Sequence, residues 1–282
     1  MEFIITGSGG CVCTPRPLCG CKVCKEARLK GYPYARCGCS LVLKDINLLI
    51  DTPEDIVHGL NHCDINAIDY ILYSHLDPDH TLGLRVIEQL RLDWLSMSVG
   101  IRCKDPIKVM ALPIVMEDIN AIHTKYGSIM EYYKSMNLIV REQISDAIII
   151  EDIKITLLPV NSKADVTIFL FEQNNKKLIY APCDVKPFPK NKLFDKADYL
   201  IIGNTIVGDM LKDGFRLEKD NGLRKELFTL DEILELQNYY NIKKVIITHL
   251  EEDWGKTYED YQAMEKNYKN VFFAYDNMRI HL

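Results

Sequence analysis

The stretch that decides the fold is YSHLDPDH, residues Tyr73–His80. An apolar strand is predicted to end at Ser74, and two histidines and two aspartates follow it directly. Because a chain that leaves a strand must turn, side chains at this point can converge on one position, and imidazole and carboxylate are ligands of zinc, iron or manganese. The alternative is a polar loop in which Asp79 caps a helix. The spacing favours a metal site.

Outward from this loop, short apolar runs rich in Val and Ile alternate with helical patterns. Such near-continuous runs are typical of strands covered on both faces. The order of elements predicts a mixed-sheet α/β fold in one domain, residues 1–282. The predicted strands are Phe3–Thr6, Ser40–Leu43, Asn47–Asp51, Ile68–Ser74, Ile107–Ala111, Leu138–Gln143, Ile153–Val160, Val166–Glu172, Lys177–Ala181, Tyr199–Gly203, Lys244–Thr248 and Val271–Tyr275.

Helices are predicted from capping boxes and periodicity. Thr229 with Glu232, and less strongly Thr257 with Asp260, predict helices that end near residues 240 and 268. Another helix is predicted to begin near His80 and to run through residue 90. Residues 114–136 also have a helical pattern, which is broken near residue 127.

Composition and charge limit the possible partners. The net charge is −6, and no basic stripe is present, so long nucleic acid and anionic membranes are disfavoured as partners. A small anionic substrate remains compatible. No signal peptide or apolar run of about 18 residues is visible, which predicts a cytoplasmic protein. The oligomeric state stays open, with a homodimer among the possibilities.

The cysteines form a second feature. The chain has ten, and they crowd towards the N-terminus, which in a reducing compartment indicates metal binding rather than disulfides. CGCKVC at residues 19–24 supplies Cys19, Cys21 and Cys24, which we call the cysteine knuckle. Three thiolates at this spacing suit a structural zinc that takes one more ligand. Buried apolar cysteines are the alternative, but the intervening Gly and Lys favour a surface loop.

The Tyr73–His80 stretch resembles the His-x-His-x-Asp-His signature of the metallo-β-lactamase superfamily, and the resemblance extends over essentially the whole chain. It implies an αββα sandwich, in which two mixed sheets stack and the helices lie outside. It also implies a metal site at one edge of the sandwich, with one or two divalent ions (zinc, manganese or iron). The active-site ligands that the resemblance implies are His75, Asp77, Asp79, His80, Asn161, Asp184 and His249.

These ligands divide into two sites. His75, Asp77 and Asn161 correspond to the first site, where the family usually has three histidines. Asp79 and His80 belong to the second site, together with Asp184 and His249 from two later strand ends. Because oxygen replaces nitrogen at two positions, the first site is expected to bind zinc weakly and to favour manganese or iron. Asp79 is also expected to orient the nucleophile.

The knuckle resembles the branch that contains the phosphonate-pathway cyclic phosphodiesterase and the pyrroloquinoline-quinone biosynthesis protein B. Gly7–Gly10 and Asp51–Pro53 match the same branch. The resemblance implies that the fourth knuckle ligand falls at Glu252, while several other candidates remain open: Asp253, Cys11, Cys13, Cys37 and Cys39.

The branch also implies a function. The resemblance implies that the chain is a metal-dependent hydrolase, in particular a phosphodiesterase that acts on small cyclic or nucleotide phosphodiesters. Two alternatives remain, namely an iron-dependent or accessory protein of cofactor biosynthesis, and a binding module with a degenerate site. The glycine-rich Gly7–Gly10 lacks the residues of a P-loop and is predicted to be a tight turn that brings backbone close to the site.

Overall fold

The computed structural model describes residues 1–163 and 165–282. Its strands form two large mixed sheets and two small ones. The strands are β1 (Glu2–Gly7), β2 (Ser40–Leu43), β3 (Leu48–Ile50), β4 (Tyr70–Leu72), β5 (Ile107–Ala111), β6 (His123–Thr124), β7 (Gly127–Ser128), β8 (Ile139–Gln143), β9 (Ala147–Ile150), β10 (Ile153–Pro159), β11 (Thr167–Gln173), β12 (Lys176–Ala181), β13 (Tyr199–Ile202), β14 (Thr205–Ile206), β15 (Phe228–Thr229), β16 (Lys244–Ile247), β17 (Val271–Phe273) and β18 (Met278–His281).

Each large sheet is antiparallel in one half and parallel in the other. The first sheet has the order β18-β1-β2-β3-β4-β5-β8 and is parallel from β3 to β8. The second sheet has the order β17-β16-β13-β12-β11-β10-β9 and is parallel from β12 to β17. The carboxyl ends of parallel strands meet at one edge of a sheet, so each sheet offers one edge on which loops can assemble a site.

The helices lie against these sheets. The described helices are α1 (Lys22–Lys30), α2 (Ile56–His62), α3 (Pro78–Thr81), α4 (Val86–Arg91), α5 (Trp94–Ser98), α6 (Pro113–Asn120), α7 (Ile129–Ser135), α8 (Leu223–Glu226), α9 (Leu230–Tyr239) and α10 (Tyr258–Glu265). In the first sheet, α2 contacts β1, α6 contacts β5 and α7 contacts β8, whereas α10 contacts β17 of the second sheet. None of the helices in the described ranges is long and apolar enough to cross a membrane.

Alternate residues of the second sheet face two different cores. In β11, Phe169 and Phe171 pack into the core between the sheets, where Phe171 meets Phe3 of the first sheet at a centroid distance of 5.1 Å. Ile168 and Leu170 point the other way, into the core under the outer helices. Side chains of a strand alternate between faces, so the apolar run reflects burial on both faces. The predicted sandwich of two mixed sheets with outer helices is confirmed.

Most predicted elements are found close to their expected positions, including the helices that follow both capping boxes. The helix after Thr257 ends at Glu265, earlier than predicted. The break predicted near residue 127 is a small hairpin, β6–β7, between α6 and α7. The sequence analysis missed several short elements of the described chain, among them α1, α2, α5, α8 and the edge strands β9 and β18.

The prediction of one helix from His80 through residue 90 is wrong, because the chain forms α3 and α4 with a break between them. Gly83 lies in that break, and its N–H donates to the Thr52 carbonyl at 2.8 Å. A Cβ atom at residue 83 would lie 1.8 Å from the Pro53 carbonyl oxygen. Only glycine permits this approach, which ties the loop after β4 to the turn after β3.

We expect Gly83→Ala to lower the free energy of unfolding by about 2–3 kcal/mol, because either the Pro53 backbone or the loop after β4 must move. Urea denaturation followed by circular dichroism measures the change. Gly222→Ala is the matched control, since a Cβ atom there meets nothing within 4 Å. Equal stability of the two variants would show that the close approach at Gly83 does not constrain the loop.

Candidate metal centre

The candidate ligands stand at the carboxyl ends of strands from both sheets. The loop after β4 carries His75–His80, while Asp184 follows β12 and His249 follows β16. Asp184 and His249 have left-handed backbone, with φ of 51° and 56°. This conformation is unfavourable for non-glycine residues and is concentrated at functional sites, where the surrounding structure holds it. Here it turns the chain sharply at the strand ends.

The structure brings the predicted ligands together in two neighbouring groups. In one, the ligand atoms of Asp79, His80 and His249 all lie within 4.8 Å of one another, and the same holds for His75, Asp77 and Asp184 in the other. Asp79 Oδ2 lies 3.5 Å from His80 Nε2 and 3.3 Å from His249 Nε2. The rings of His75 and His80, whose centroids are 4.3 Å apart, connect the groups.

The buried histidines have ring nitrogens that the protein does not satisfy. The Nε2 atoms of His75, His80 and His249 are buried and have no hydrogen-bond partner. Leaving a buried polar atom unpaired destabilises a fold by about 1–3 kcal/mol, so proteins rarely do so without a reason. Two such atoms beside the Asp79 carboxylate, and a third in the neighbouring group, fit divalent metal ions.

Asp51 holds two of these rings in the orientation that a metal requires. Its fully buried carboxylate accepts a hydrogen bond from His80 Nδ1 at 2.9 Å and from the Ser74 hydroxyl at 2.6 Å. The Ser74 hydroxyl in turn lies 2.8 Å from His75 Nδ1. Since the hydroxyl donates its only proton to Asp51, it accepts from His75, and both imidazoles keep the Nε2 lone pair free for a metal. Sequence reasoning used Asp51 only as part of a branch motif.

The carboxylates of the loop are ionised. Burial raises the pKa of Asp79, but the imidazoles of His249 and His80 outweigh this effect and bring that pKa to about 2. The neighbouring His75 imidazole lowers the pKa of Asp77. Both aspartates therefore offer anionic oxygens at neutral pH, as metal ligation requires.

The N-terminal glycine turn reaches the same centre, as its sequence predicts. A Cβ atom on Gly10 would lie 1.9 Å from Glu251 Oε1, and the Cys11 N–H donates to that oxygen at 2.8 Å. The same Glu251 oxygen lies 3.7 Å from His249 Nδ1. Burial raises the pKa of Glu251. Glu251 therefore connects the glycine turn to the strand end that carries His249, a contact that no sequence motif indicated.

A cavity of about 570 Å³ opens beside the ligands. One wall is acidic and includes Asp77, Asp79 and Asp184. Other lining residues are apolar, and Phe215 and Trp254 are among them. A concave site with an apolar wall and a few converging polar groups is the usual form of a small-molecule site.

Asn161 is the predicted ligand that belongs to neither group. It lies in an exposed loop, where its Nδ2 donates to Asp165 at 2.9 Å and its Oδ1 accepts from the Lys163 N–H at 2.9 Å. These contacts occupy the carboxamide oxygen within the loop. A ligand role for Asn161 stays a prediction.

The cysteine knuckle gathers around a carboxylate. The ligand atoms of Cys19, Cys21, Cys24 and Glu252 all lie within 4.8 Å of one another. In the described part of the chain, no such group includes the other candidates for the fourth ligand: Cys11, Cys13, Cys37, Cys39 and Asp253.

Two cations adjoin the knuckle carboxylate, which is fully buried. Lys212 Nζ lies 2.7 Å from Glu252 Oε2, and Arg16 Nη1 lies 3.3 Å from Oε1. Three thiolates and a carboxylate around a divalent ion leave excess negative charge, which these cations offset. The surroundings of Glu252 therefore suit a charged metal site.

The model of the β-lactamase superfamily domain matches residues 46–250, which contain every predicted active-site ligand and leave the knuckle cysteines outside. Among curated proteins, none matches this sequence.

Solved structures share the fold at low sequence identity, and such likeness shows the fold alone. A diphosphatase of the PhnP family is 18% identical, with a TM-score of 0.70 over 99% of this chain and 96% of that one. Zinc-bound PqqB from Methylobacterium extorquens is 17% identical, with a TM-score of 0.74 over 100% of both chains. Human tRNase Z, short form, is 18% identical, with a TM-score of 0.59 over 100% of this chain and 99% of that one. The resemblance to the superfamily is confirmed.

We expect Asp51→Asn to weaken active-site metal binding by about 10- to 100-fold, because an amide no longer holds His80 and Ser74 in the pattern that frees both Nε2 atoms. Competition with a chromogenic chelator measures the affinity. Asp198→Asn is the control, since Asp198 is buried and paired with Lys243 away from the centre. A loss of affinity of the same size in both variants would indicate general destabilisation instead.

A separate prediction concerns the knuckle. Purified protein is expected to hold about one zinc per chain that mild chelation leaves in place, and Cys21→Ser is expected to release it and lower the melting temperature. Elemental analysis and thermal unfolding measure both effects. Cys103→Ser, outside the described ligand groups, provides the control. A Cys21→Ser protein that retained its zinc and its stability would rule out the knuckle as a metal site.

Proposed function

This chain belongs to the β-lactamase superfamily, and from that premise we propose that it is a metal-dependent hydrolase that cleaves small phosphodiesters, either cyclic or of the nucleotide type. The observation that carries the proposal is the pair of buried Nε2 atoms of His80 and His249, without hydrogen-bond partners, beside the Asp79 carboxylate, with a third such atom on His75 in the neighbouring group. A hydrolytic centre of this kind needs ligands held in place before the ion arrives, and the Asp51 network supplies that order.

The residues divide between holding the metal and directing the reaction. When bound, a divalent ion would supply an activated water at neutral pH and would polarise a phosphoryl oxygen of the diester, which makes the phosphorus easier to attack. His80 and His249 would hold it beside Asp79, and His75 would hold an ion in the neighbouring group, since the Nε2 atoms of all three histidines have no hydrogen-bond partner. Asp79 faces both His80 and His249 through Oδ2, from which it can orient a water and accept its proton. Asn204 Nδ2 donates to Asp184 Oδ1 at 3.0 Å and fixes that carboxylate.

The size and charge of the cavity support a small anionic substrate whose binding depends on the metal. A volume of about 570 Å³ suits a small molecule or one nucleotide. Among the described lining residues, carboxylates outnumber cations, and Lys212 is the cation. An anion would be repelled by this wall unless a metal compensated the charge. The apolar wall, with Leu211 and Leu227 next to Phe215 and Trp254, suits the organic part of a diester.

One observation keeps a second candidate in consideration. Asn161 lies in an exposed loop and offers at most an amide oxygen where the superfamily pattern has a histidine, so the first site has weaker ligands than that pattern. A single iron ion and no phosphoesterase activity would instead favour an iron-dependent or accessory protein of cofactor biosynthesis. Absence of any active-site metal would favour a binding module. Elemental analysis of the purified protein, with metal add-back, separates the three.

We expect His80→Ala and His249→Ala each to abolish hydrolysis of bis(p-nitrophenyl) phosphate, with a loss of at least about 100-fold, because the ion loses a nitrogen ligand. Turnover is measured after loading with zinc, manganese or iron, and circular dichroism checks the fold. His123→Ala, on the exposed β6–β7 hairpin, is the control. Full activity in either ligand variant would refute the assignment of these residues.

A further inference from the structure

We propose that Cys183 is a thiolate ligand of the active-site metal, on the side of His75, an inference that rests on the metal-dependent function proposed above. Its Sγ lies with the ligand atoms of His75 and His80 in a group whose members are all within 4.8 Å of one another. All three residues are buried. The Nε2 atoms of both histidines have no hydrogen-bond partner, which is the independent sign that a ligand belongs here.

The backbone explains how two successive residues reach one centre. Cys183 and Asp184 follow the end of β12 after one intervening residue, Pro182, and in an extended strand neighbouring side chains would point to opposite faces. Asp184 has φ of 51°, which breaks the extended conformation. As a result, Cys183 groups with His75 and His80, while Asp184 groups with His75 and Asp77.

The surroundings of Cys183 differ from those of the other buried cysteines. Asn204 Nδ2 donates to Cys183 Sγ at 3.2 Å, and it also donates to the predicted ligand Asp184. Groups next to metal ligands commonly hold them by such hydrogen bonds, so Asn204 orients Cys183 together with Asp184. By contrast, Cys39 lies beside hydroxyl groups, and Cys63 belongs to none of the described ligand groups.

A thiolate at this place changes the metal that the first site would prefer. The oxygen atoms of Asp77 and Asn161 alone favour manganese or iron, whereas sulfur favours zinc and other soft ions. His75 and Cys183 provide a nitrogen and a sulfur ligand on this side, while the one free nitrogen of His80, which lies within reach of both groups, can bind only one ion. Binding exchanges the Cys183 thiol proton for the ion, and the proton leaves to solvent.

Cobalt tests the proposal, because sulfur-to-cobalt charge transfer absorbs in the near ultraviolet and reports ligation independently of activity. Protein that retains its knuckle metal is stripped of weakly held ions and titrated with cobalt. We expect the wild type to gain a charge-transfer band with active-site cobalt. Cys183→Ala should lose that band while it retains the visible bands of cobalt bound through His80 and His249.

Cys63→Ala is the matched control, since it removes a buried thiol outside the described ligand groups. The Cys63→Ala protein should keep the charge-transfer band. Any absorption from the knuckle metal is the same in all variants. An unchanged band in Cys183→Ala would overturn the proposal. If Cys183→Ala does not fold, cadmium-113 NMR of the wild type decides. An active-site resonance at the low-field shift of sulfur ligation supports Cys183, and a shift typical of nitrogen and oxygen ligands alone excludes it.

Phosphodiester hydrolysis is measured separately on the same preparations. A charge-transfer band without hydrolysis would leave Cys183 as a ligand and remove the proposed activity. Hydrolysis without the band in the wild type would remove Cys183 and leave the activity. The two proposals therefore fail in different ways.

Discussion

The buried carboxylate of Asp51 constrains much of the centre around it. A charged group without solvent is tolerated only when hydrogen bonds satisfy it, and here the Ser74 N–H, the Ser74 hydroxyl and His80 Nδ1 do so. A backbone hydrogen bond joins the same two segments, since the Thr52 N–H donates to the His80 carbonyl at 2.8 Å. The turn after β3 therefore fixes both the orientation of the histidine rings and the position of the loop that carries them.

Both sheets supply ligands, so the core between them sets the geometry of the centre. The first sheet provides the loop after β4, and the second provides Asp184 and His249. Aromatic and branched apolar side chains fill the space between, including the Phe3–Phe171 contact. Because cores pack closely and deform little, the separation of the two ligand sets is a property of the core. A metal that bridges them would in turn stabilise the packing of the sheets.

The sequence predicted what depends on local pattern and missed what depends on tertiary contact. Apolar runs located most strands, and the capping boxes at Thr229 and Thr257 located two helices, because periodicity and capping act over a few residues. The loop ligands were also evident from their spacing. Asp51, Glu251 and Cys183 reach the centre from strand ends that are distant from the loop in sequence. Asp51 also has the same left-handed backbone as Asp184. No local pattern contains that information.

The segment after β16 connects the candidate centre with the knuckle. His249 faces Asp79, Glu251 supports the glycine turn, and Glu252 joins the cysteines. Lys212 adds a second connection, since it pairs with Glu252 and also lines the cavity. A metal in the knuckle would hold Glu252 in place. Glu252 would in turn hold the strand end that carries His249 and the Lys212 side chain in the cavity wall. The cysteine knuckle thus has a structural reason to lie so near the reaction centre, because it fixes the wall of the cavity that the first sheet does not reach.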